Sequence, residues 1–309
     1  MDLTDFQILR AMEPFPWGRH PKDPENHRPT TIARKIGSTP ETVKERLQRM
    51  EDSGVIRGYQ AYPNPAHLGL SATVYVFENE DPDFKAKARE AVGSMDGLLH
   101  VWDLIGPLLG VEVAYRSPAE LARRLKLLSL HTGDPEPRRI HDYEFPPVGQ
   151  PPSPLDWRII GALRGNARRP ITEVADAIGA GYRTVKRRFD RLSADGSLIL
   201  VPVLDLGRVP GLIPVDLFVY LEQGDDEATV RQILKTFDDR VALSILARDS
   251  NHLHVAVFAE SLGEAEELRA QASAMPGVER VSALFFRSVS EHTAWLDDEI
   301  ASRATNAST

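Results

Sequence analysis

The segment TVKERLQR at residues 42–49 recurs as TVKRRFDR at residues 184–191. Each segment places apolar side chains at helical spacing and basic side chains between them. With a constant offset the similarity extends backward from Ile36-Gly37 to Ile178-Gly179 and forward from Gly54 to Gly196. Similarity that keeps its spacing over this length predicts a duplicated domain rather than a duplicated peptide.

Composition limits the classes of protein to consider. A chain of 309 residues with 42% hydrophobic and 27% charged residues predicts two to four globular domains. A net charge of -8 argues against indiscriminate coating of nucleic acid or acidic membranes, so any nucleic-acid binding must be local. The absence of cysteine excludes disulfides, thiolate catalysis and cysteine-bound zinc. We find no signal peptide or membrane-spanning run, and therefore expect a cytoplasmic protein without membrane contact.

The region around the first repeated segment predicts three short helices. The second helix should end at Gly37, because glycine readily adopts the left-handed conformation of a helix C-cap. Thr39 is a suitable N-cap and Pro40 a suitable first residue, so the third helix should span 40–52. The alternating stretch 55–62 that follows is typical of a small wing hairpin after a helix-turn-helix.

The pattern after each helical unit predicts an α+β fold. The order βαββαβ, typical of a ferredoxin-like sandwich, is predicted after the first unit and again after the second, where the last strand spans 280–286 and a helix spans 291–303. The predicted domains are a winged helix-turn-helix at 1–62, a sandwich at 68–147, a proline-rich linker at 148–154, a second winged helix-turn-helix at 155–205, a second sandwich at 212–290, and a C-terminal helix with a frayed tail at 291–309.

The outer face of the third helix predicts binding to double-stranded DNA. A helix of this width fits the major groove, where arginine can bind guanine or phosphate. A solvated charged face is the alternative interpretation. The helix-turn-helix context and the duplication favour DNA. The predicted DNA-binding residues are Arg183, Thr184, Lys186, Arg187, Arg188 and Arg191 in the second copy, and Thr39, Thr42, Lys44, Arg46 and Arg49 in the first.

The two copies differ where they should face DNA. Arg183 and Arg187 of the second copy correspond to Glu41 and Glu45 of the first, and phosphate repels carboxylate. We therefore expect the second copy to supply most of the affinity. The first copy could still accept a bond from cytosine, or serve structure alone. Its proline loop either touches phosphates or is an exposed insertion, and the basic residues there are Arg19, His20, Lys22, His27 and Arg28.

The chain contains LTDFQIL at 3–9, RMEDSGVI at 49–56, and GYQA at 58–61 followed by Leu68-Gly69. In these three stretches it resembles the Lrp/AsnC family of leucine-responsive, or feast/famine, transcription regulators. The resemblance occurs in two copies, which together cover nearly the whole chain. It implies a tandem member in which a winged helix precedes a ferredoxin-like effector domain, and in which one chain can contain both halves of the dimer that forms through the sheets of the effector domains. Because a sandwich of this type leaves one sheet face free to pair, we also expect a further homodimer through these sheets.

The resemblance also implies a small-molecule effector near the loop between the second and third strands of each sandwich. Gly106 matches the family glycine there, but the aspartate that should follow is missing. Asp249 in the second half lacks the glycine, so an amino acid is a poor candidate for the effector. The candidate effector-binding residues are Trp102, Gly106, Asp249 and Ser250.

The main alternative is an enzyme. Siroheme decarboxylases resemble the same tandem architecture and rely on histidines, and His252 and His254 should share one face of a strand. We find neither their asparagine- and tryptophan-rich strands nor a third metal ligand beside this pair, and no phosphate loop, nucleophile elbow or dinucleotide fingerprint. We therefore expect no enzyme activity, cofactor or metal. A third alternative is an assembly module that has lost DNA binding, against which the charge of 183–191 argues.

Overall fold

The structure is a computed structural model that describes residues 1–12, 28–81, 83–93, 95–143, 145, 149–222, 227–247 and 251–305. Within these ranges no helix combines the length and the apolar character needed to cross a membrane.

The first helical unit consists of α1 (Leu3–Ala11), α2 (Pro29–Ile36) and α3 (Pro40–Asp52). Helix α2 ends at Gly37, whose φ of 68° lies in the left-handed region that favours glycine. The Thr39 hydroxyl accepts a hydrogen bond of 3.2 Å from the backbone N–H of Thr42, which caps α3. The buried face of α3 carries Val43, Leu47 and Met50. The sequence prediction for these helices is confirmed.

The second helical unit repeats this order with α6 (Pro154–Leu163), α7 (Ile171–Ile178) and α8 (Tyr182–Ala194). Ser153 and Asp156 form a reciprocal capping box at the start of α6. Gly179 ends α7 with a φ of 63°, as Gly37 ends α2. The second helix of each unit therefore ends at a glycine in the left-handed conformation.

The strands that follow the two units pair with each other. Strand β1 (Ile56–Pro63) is antiparallel to β6 (Leu198–Leu204), with Ala61 opposite Leu200. The prediction of a local wing hairpin is wrong. After Pro63 the chain enters a single 3-10 turn (Pro65–Leu68) instead of a returning strand, so β1 finds its hydrogen-bonding partner in the second copy.

The two sandwiches share one eight-stranded sheet, in the order β5-β2-β4-β3-β10-β7-β9-β8. Each group of four strands has the ferredoxin-like arrangement, in which the first and the last strand of the group along the chain are neighbours in the sheet. The first group consists of β2 (Ser71–Glu78), α4 (Phe84–Val92), β3 (Leu98–Leu104), β4 (Leu108–Tyr115), α5 (Pro118–Thr132) and β5 (Arg138–Tyr143). The second consists of β7 (Ile213–Leu221), α9 (Glu227–Thr236), β8 (Val241–Ala247), β9 (His252–Ala259), α10 (Leu262–Ser273) and β10 (Val278–Glu291).

Strand β10 is longer than the sequence predicts. Its first half pairs with β7, and its second half continues past Phe286 to pair with β3, where Glu291 lies opposite His100. The prediction of a helix starting at residue 291 is therefore wrong at its beginning, because partners on β3 keep this stretch extended. Helix α11 spans Trp295–Thr305.

Helices cover one face of each half of the sheet, and the opposite faces pack on each other. Val74, Val76 and Ile140 of the first half lie in one apolar cluster with Phe218 of the second. Strand β5 also approaches β8, so the two ends of the sheet come close. These sheet faces thus pack on each other within one chain. A further homodimer stays a prediction.

The chain forms two compact units, and each is assembled from both halves of the sequence. One contains 1–7, 72–143 and 206–292, which hold the eight-stranded sheet. The other contains 8–71, 144–205 and 293–309, which hold the two sets of helices with β1 and β6. The sequential domain limits given above stay predictions.

Candidate nucleic-acid interface

The outer face of α8 begins with an open helix end. Gly181 precedes α8 and provides no side-chain cap, and the first turn contains no acidic residue. The unpaired N–H groups and the helix dipole make such an end favourable for an anion. Arg183 and Arg187 are exposed on this helix, and neither forms an ion pair with any carboxylate in the described part of the chain. These two residues present positive charge to solvent.

Two further predicted residues lie on the same helix. Thr184 is partly buried, and its backbone N–H donates to the Gly181 carbonyl at 2.9 Å. Lys186 forms a surface ion pair of 2.6 Å with Asp190 one turn later. A pair of this kind is weak and screened by salt, so Lys186 can exchange Asp190 for a phosphate.

Arg188 and Arg191 point inward, toward the buried carboxylate of Asp156 on α6. Their guanidinium groups lie 3.0 and 2.8 Å from its two oxygens. Burial raises the pKa of Asp156, but hydrogen bonds from Ser153, Arg188 and Arg191 outweigh it and hold the pKa below its usual value. These two arginines connect α6 to α8, and their assignment as DNA-binding residues stays a prediction.

The corresponding face of α3 is mixed in charge. Glu41, Lys44 and Glu45 are exposed, Arg49 is exposed and Arg46 is partly buried. The hydroxyls of Thr39 and Thr42 lie 3.0 Å apart, so both contribute to the cap.

Glu51 at the end of α3 faces the protein rather than the solvent. Its carboxylate accepts hydrogen bonds from the Tyr59 hydroxyl at 2.7 Å and from Arg168 at 2.8 Å. Burial, followed by the bond to Glu51, raises the pKa of Tyr59 far above its usual range. The guanidinium of Arg168 also lies 3.5 Å from the centre of the Tyr59 ring. This cluster links the first helical unit to the loop before α7.

Of the basic residues in the proline loop, only Arg28 falls within the described residues, where it directly precedes α2. The others, Arg19, His20, Lys22 and His27, lie outside them.

Of the candidate effector residues, two are described. Gly106 lies in the turn between β3 and β4 with a φ of 87°, and no atom lies within 4 Å of the position that a Cβ would take. Trp102 on β3 is packed at the cluster between the two halves of the sheet, against Gly110 of β4. Asp249 and Ser250 lie outside the described residues.

Histidines gather in the layer between the two halves of the sheet. His252 and His254 share one face of β9, as predicted, with their Nε2 atoms 2.9 Å apart. The His141 ring of β5 lies 5.2 Å from that of His254, a proximity that periodicity along one strand could not reveal. The Nδ1 atom of His254 lies 3.2 Å from Asp216. Across the ranges described, no three histidine or carboxylate side chains are arranged to hold a metal ion.

Sequence reasoning missed Asp156 and Tyr182. The signal for Asp156 was present, because an aspartate occupies the same position in both copies, as Asp5 and Asp156. Tyr182 is half exposed at the first position of α8. Because it carries no charge, the pattern of basic residues does not reveal it.

Helices α6, α7 and α8, the last with an exposed basic face, follow the order of a helix-turn-helix domain. Residues 154–193 match the AsnC-type helix-turn-helix domain family.

Curated relatives match parts of the chain. An uncharacterised HTH-type transcriptional regulator of Pyrococcus furiosus is 30% identical over 101 residues, which are 31% of this chain and 65% of the relative. The proline dehydrogenase transcriptional activator of Rhodobacter capsulatus is 41% identical over 61 residues, 20% of this chain and 39% of the relative. The chain thus spans between about one third and two thirds of the length of the curated relatives it matches.

Solved structures resemble the whole fold. The siroheme decarboxylase NirDL aligns over 97% of this chain and 98% of its own, with a TM-score of 0.58 and 12% identity. The same enzyme in complex with an iron-uroporphyrin III analogue gives a TM-score of 0.57 and 13% identity over 97% of this chain and 99% of that chain. At this identity the likeness concerns the fold alone.

Proposed function

We propose that the protein is a DNA-binding transcription regulator of AsnC type, with α8 as its main recognition helix and double-stranded DNA as its partner. The observation that carries the proposal is the pair of exposed arginines, Arg183 and Arg187, which face solvent in the AsnC-type domain without an ion-pair partner in the described chain. Guanidinium groups at the start of such a helix bind phosphate oxygens or the acceptor edge of guanine. The names of the curated relatives, which include regulators and an activator, support the same function.

The residues engaged within the domain narrow the proposed interface. Arg188 and Arg191 bind Asp156, so the proposed DNA contacts are Arg183, Thr184, Lys186 and Arg187. The first unit contributes Thr39, Thr42, Lys44, Arg46 and Arg49 as secondary candidates, beside the repelling carboxylates of Glu41 and Glu45.

The test is a fluorescence-anisotropy or gel-shift titration of the full chain with genomic fragments over a series of salt concentrations. The variant R183E/R187E should bind duplex DNA at least about thirtyfold more weakly, because each arginine at a base or phosphate contact contributes about 1–3 kcal/mol. Its salt dependence should also be shallower by about 1.8 in log–log slope, about 0.9 for each of two lost phosphate contacts.

The matched control is K44A/R49A in α3, which removes two basic residues from the less basic copy. We expect a much smaller loss. Equal losses in the two variants would contradict the assignment of α8 as the main recognition helix, and binding without salt dependence would contradict DNA recognition through these cations.

Effector binding and self-association are proposed in a restricted form. The proposed effector is a small molecule other than an amino acid, because the aspartate that the family places after the glycine is absent after Gly106. A second copy of the chain would need a surface other than the inner sheet faces, since these are packed on each other.

Siroheme decarboxylation is a second candidate function. It is favoured by the likeness in fold to NirDL and by the buried histidines His141, His252 and His254 between the sheet faces. An absorbance scan of the purified protein after incubation with siroheme tests it. A shifted Soret band that is lost in H252A/H254A would support this function. An unchanged spectrum would contradict it, and DNA-binding regulation would remain as the proposed function.

A further inference from the structure

Asp103 on β3 is the centre of a cluster of three cations. Its carboxylate is 1% exposed and lies 3.0 Å from the Lys85 Nζ and 3.2 Å from the Arg89 Nη2 of helix α4. Arg287 of β10 donates from Nε at 2.5 Å and also from Nη2 to the same carboxylate. The four charged side chains lie on β3, α4 and β10, and Arg287 on β10 belongs to the other half of the sheet.

The ion pairs of this cluster in the described part of the chain leave an excess of positive charge. Lys85, Arg89 and Arg287 have Asp103 as their single carboxylate partner in the described part of the chain. Three cations and one carboxylate leave two formal positive charges. Like charges gathered in a partly buried place repel each other, so the cluster favours a further anion.

Donor groups remain for such an anion. Arg89 donates from Nε to the Lys85 carbonyl and lies against Asp103 through Nη2, and Arg287 uses Nε and Nη2. The Nη1 groups of both arginines donate to no protein atom in the described ranges. Arg287 is 59% exposed and Arg89 33%, so solvent reaches both guanidinium groups. Two guanidinium groups with unused N–H donors suit the oxygens of a carboxylate or phosphate.

The backbone around the cluster is irregular. Arg287 lies at the register shift between Phe286 and Ser288, where β10 passes along β3. A bulge of this kind turns a side chain away from the regular ladder. The adjacent turn contains Gly106, with open space on its Cβ side, and Ile105, which is 65% exposed. A ligand here would contact both copies of the ferredoxin-like motif.

We propose that Lys85, Arg89 and Arg287 form a binding site for a small oxyanion that carries a carboxylate or phosphate group. Asp103 holds the three cations in place, and the anion neutralises the remaining charge. The site is independent of the recognition helix, so its test does not require DNA.

The experiment is isothermal titration of the full-length protein with inorganic phosphate and, separately, with acetate, each against sodium chloride of equal ionic strength. We expect saturable binding of at least one of the two probes. The R287Q variant should bind that probe at least about tenfold more weakly, because charge-assisted hydrogen bonds from the guanidinium are lost. R89Q is the second variant and should show the same loss. Circular dichroism checks that both variants are folded.

Two controls make the result specific. R231Q removes an exposed arginine on α9 that pairs with Glu227, and it should bind the probe as the wild type does. R183E/R187E should also bind the probe normally, which separates this site from the proposed DNA interface. The proposal is overturned if neither probe binds above the chloride reference, or if R287Q and R89Q bind it as tightly as the wild type.

Discussion

Asp156 determines which basic residues of α8 remain available to a ligand. Its two oxygens accept hydrogen bonds from the Ser153 backbone at 2.8 Å and from Arg188 at 3.0 Å, and Arg191 lies 2.8 Å away. A single buried carboxylate therefore fixes the start of α6 and the middle of α8 together. Arg183 and Arg187, which are one helical turn apart and have no such partner on α6, remain at the surface.

The D156A substitution should destabilise the helical unit by about 3 kcal/mol, because it removes the capping box and leaves two arginines without their buried partner. Urea unfolding followed by circular dichroism measures the change. The matched control is D190A, which removes a half-exposed aspartate paired with Lys186 and should cost at most about 0.5 kcal/mol. Equal losses in the two variants would show that Asp156 has no special structural role.

His141 makes stability depend on pH. Burial, followed by the neighbouring His254 and His252, lowers the pKa of His141 from 6.5 to about 3. Below pH 6.5 the unfolded chain binds a proton at this position and the folded chain does not, so the free energy of unfolding falls as pH decreases from about 6.5 to about 3. The full contribution of this group is present only above the unfolded pKa.

The expected slope from this histidine approaches about 1.4 kcal/mol per pH unit. Urea titrations at several values between about pH 7 and about pH 4 measure it, with H141L as the comparison. The wild type should lose stability more steeply than H141L, by close to one proton. Parallel curves would mean that His141 is protonated equally in the folded and unfolded states.

At the scale of the elements, the pairing of β1 with β6 determines the structure after each helical unit. The backbone N–H of Ala61 donates to the Arg164 carbonyl, so Ala61 and Leu200 are opposite residues that do not exchange ladder hydrogen bonds. Opposite residues of this type have Cα atoms about 4.5 Å apart, which falls within the range of a disulfide.

The double variant A61C/L200C should therefore form a disulfide in a chain that otherwise contains no cysteine. Thiol titration after mild oxidation, with a mobility shift on non-reducing gels, detects it. A61C/I199C is the control, since Ile199 points to the opposite face of β6 and a thiol there should not react with the thiol introduced at position 61. Failure of A61C/L200C to oxidise would contradict the pairing of β1 with β6 in this register.

Local signals explain which elements the sequence predicts well. Thr39, Pro40 and Gly37 define α3 and the end of α2 within the chain segment itself, and the structure matches them. The partner of β1 and the second half of β10 depend on residues more than a hundred positions away, which no local pattern contains. Arg188 and Arg191 illustrate the same limit within the candidate site, because helical spacing gives their face but not the buried aspartate that binds them.

At the scale of the whole molecule, both copies contribute strands to a shared sheet in each compact unit. An unpaired strand edge exposes backbone N–H and C=O groups that tend to pair with another chain. The pairings β1–β6 and β3–β10 provide these partners within one chain. Of the two helical units only the second has a strongly basic third helix, while the strand after the first unit, β1, pairs with β6 of the second copy.

This division predicts an asymmetric DNA site. Because Arg183 and Arg187 of α8 correspond to Glu41 and Glu45 of α3, one chain should contact one major-groove segment rather than two equivalent half-sites a helical turn apart. Footprinting on a bound genomic fragment should show a single protected segment whose replacement abolishes binding. The gain-of-charge variant E41R/E45R should bind more tightly, with a salt slope steeper by up to about 1.8. Two equally protected segments with the wild-type chain would contradict the asymmetry, since both units would then contribute equally to recognition.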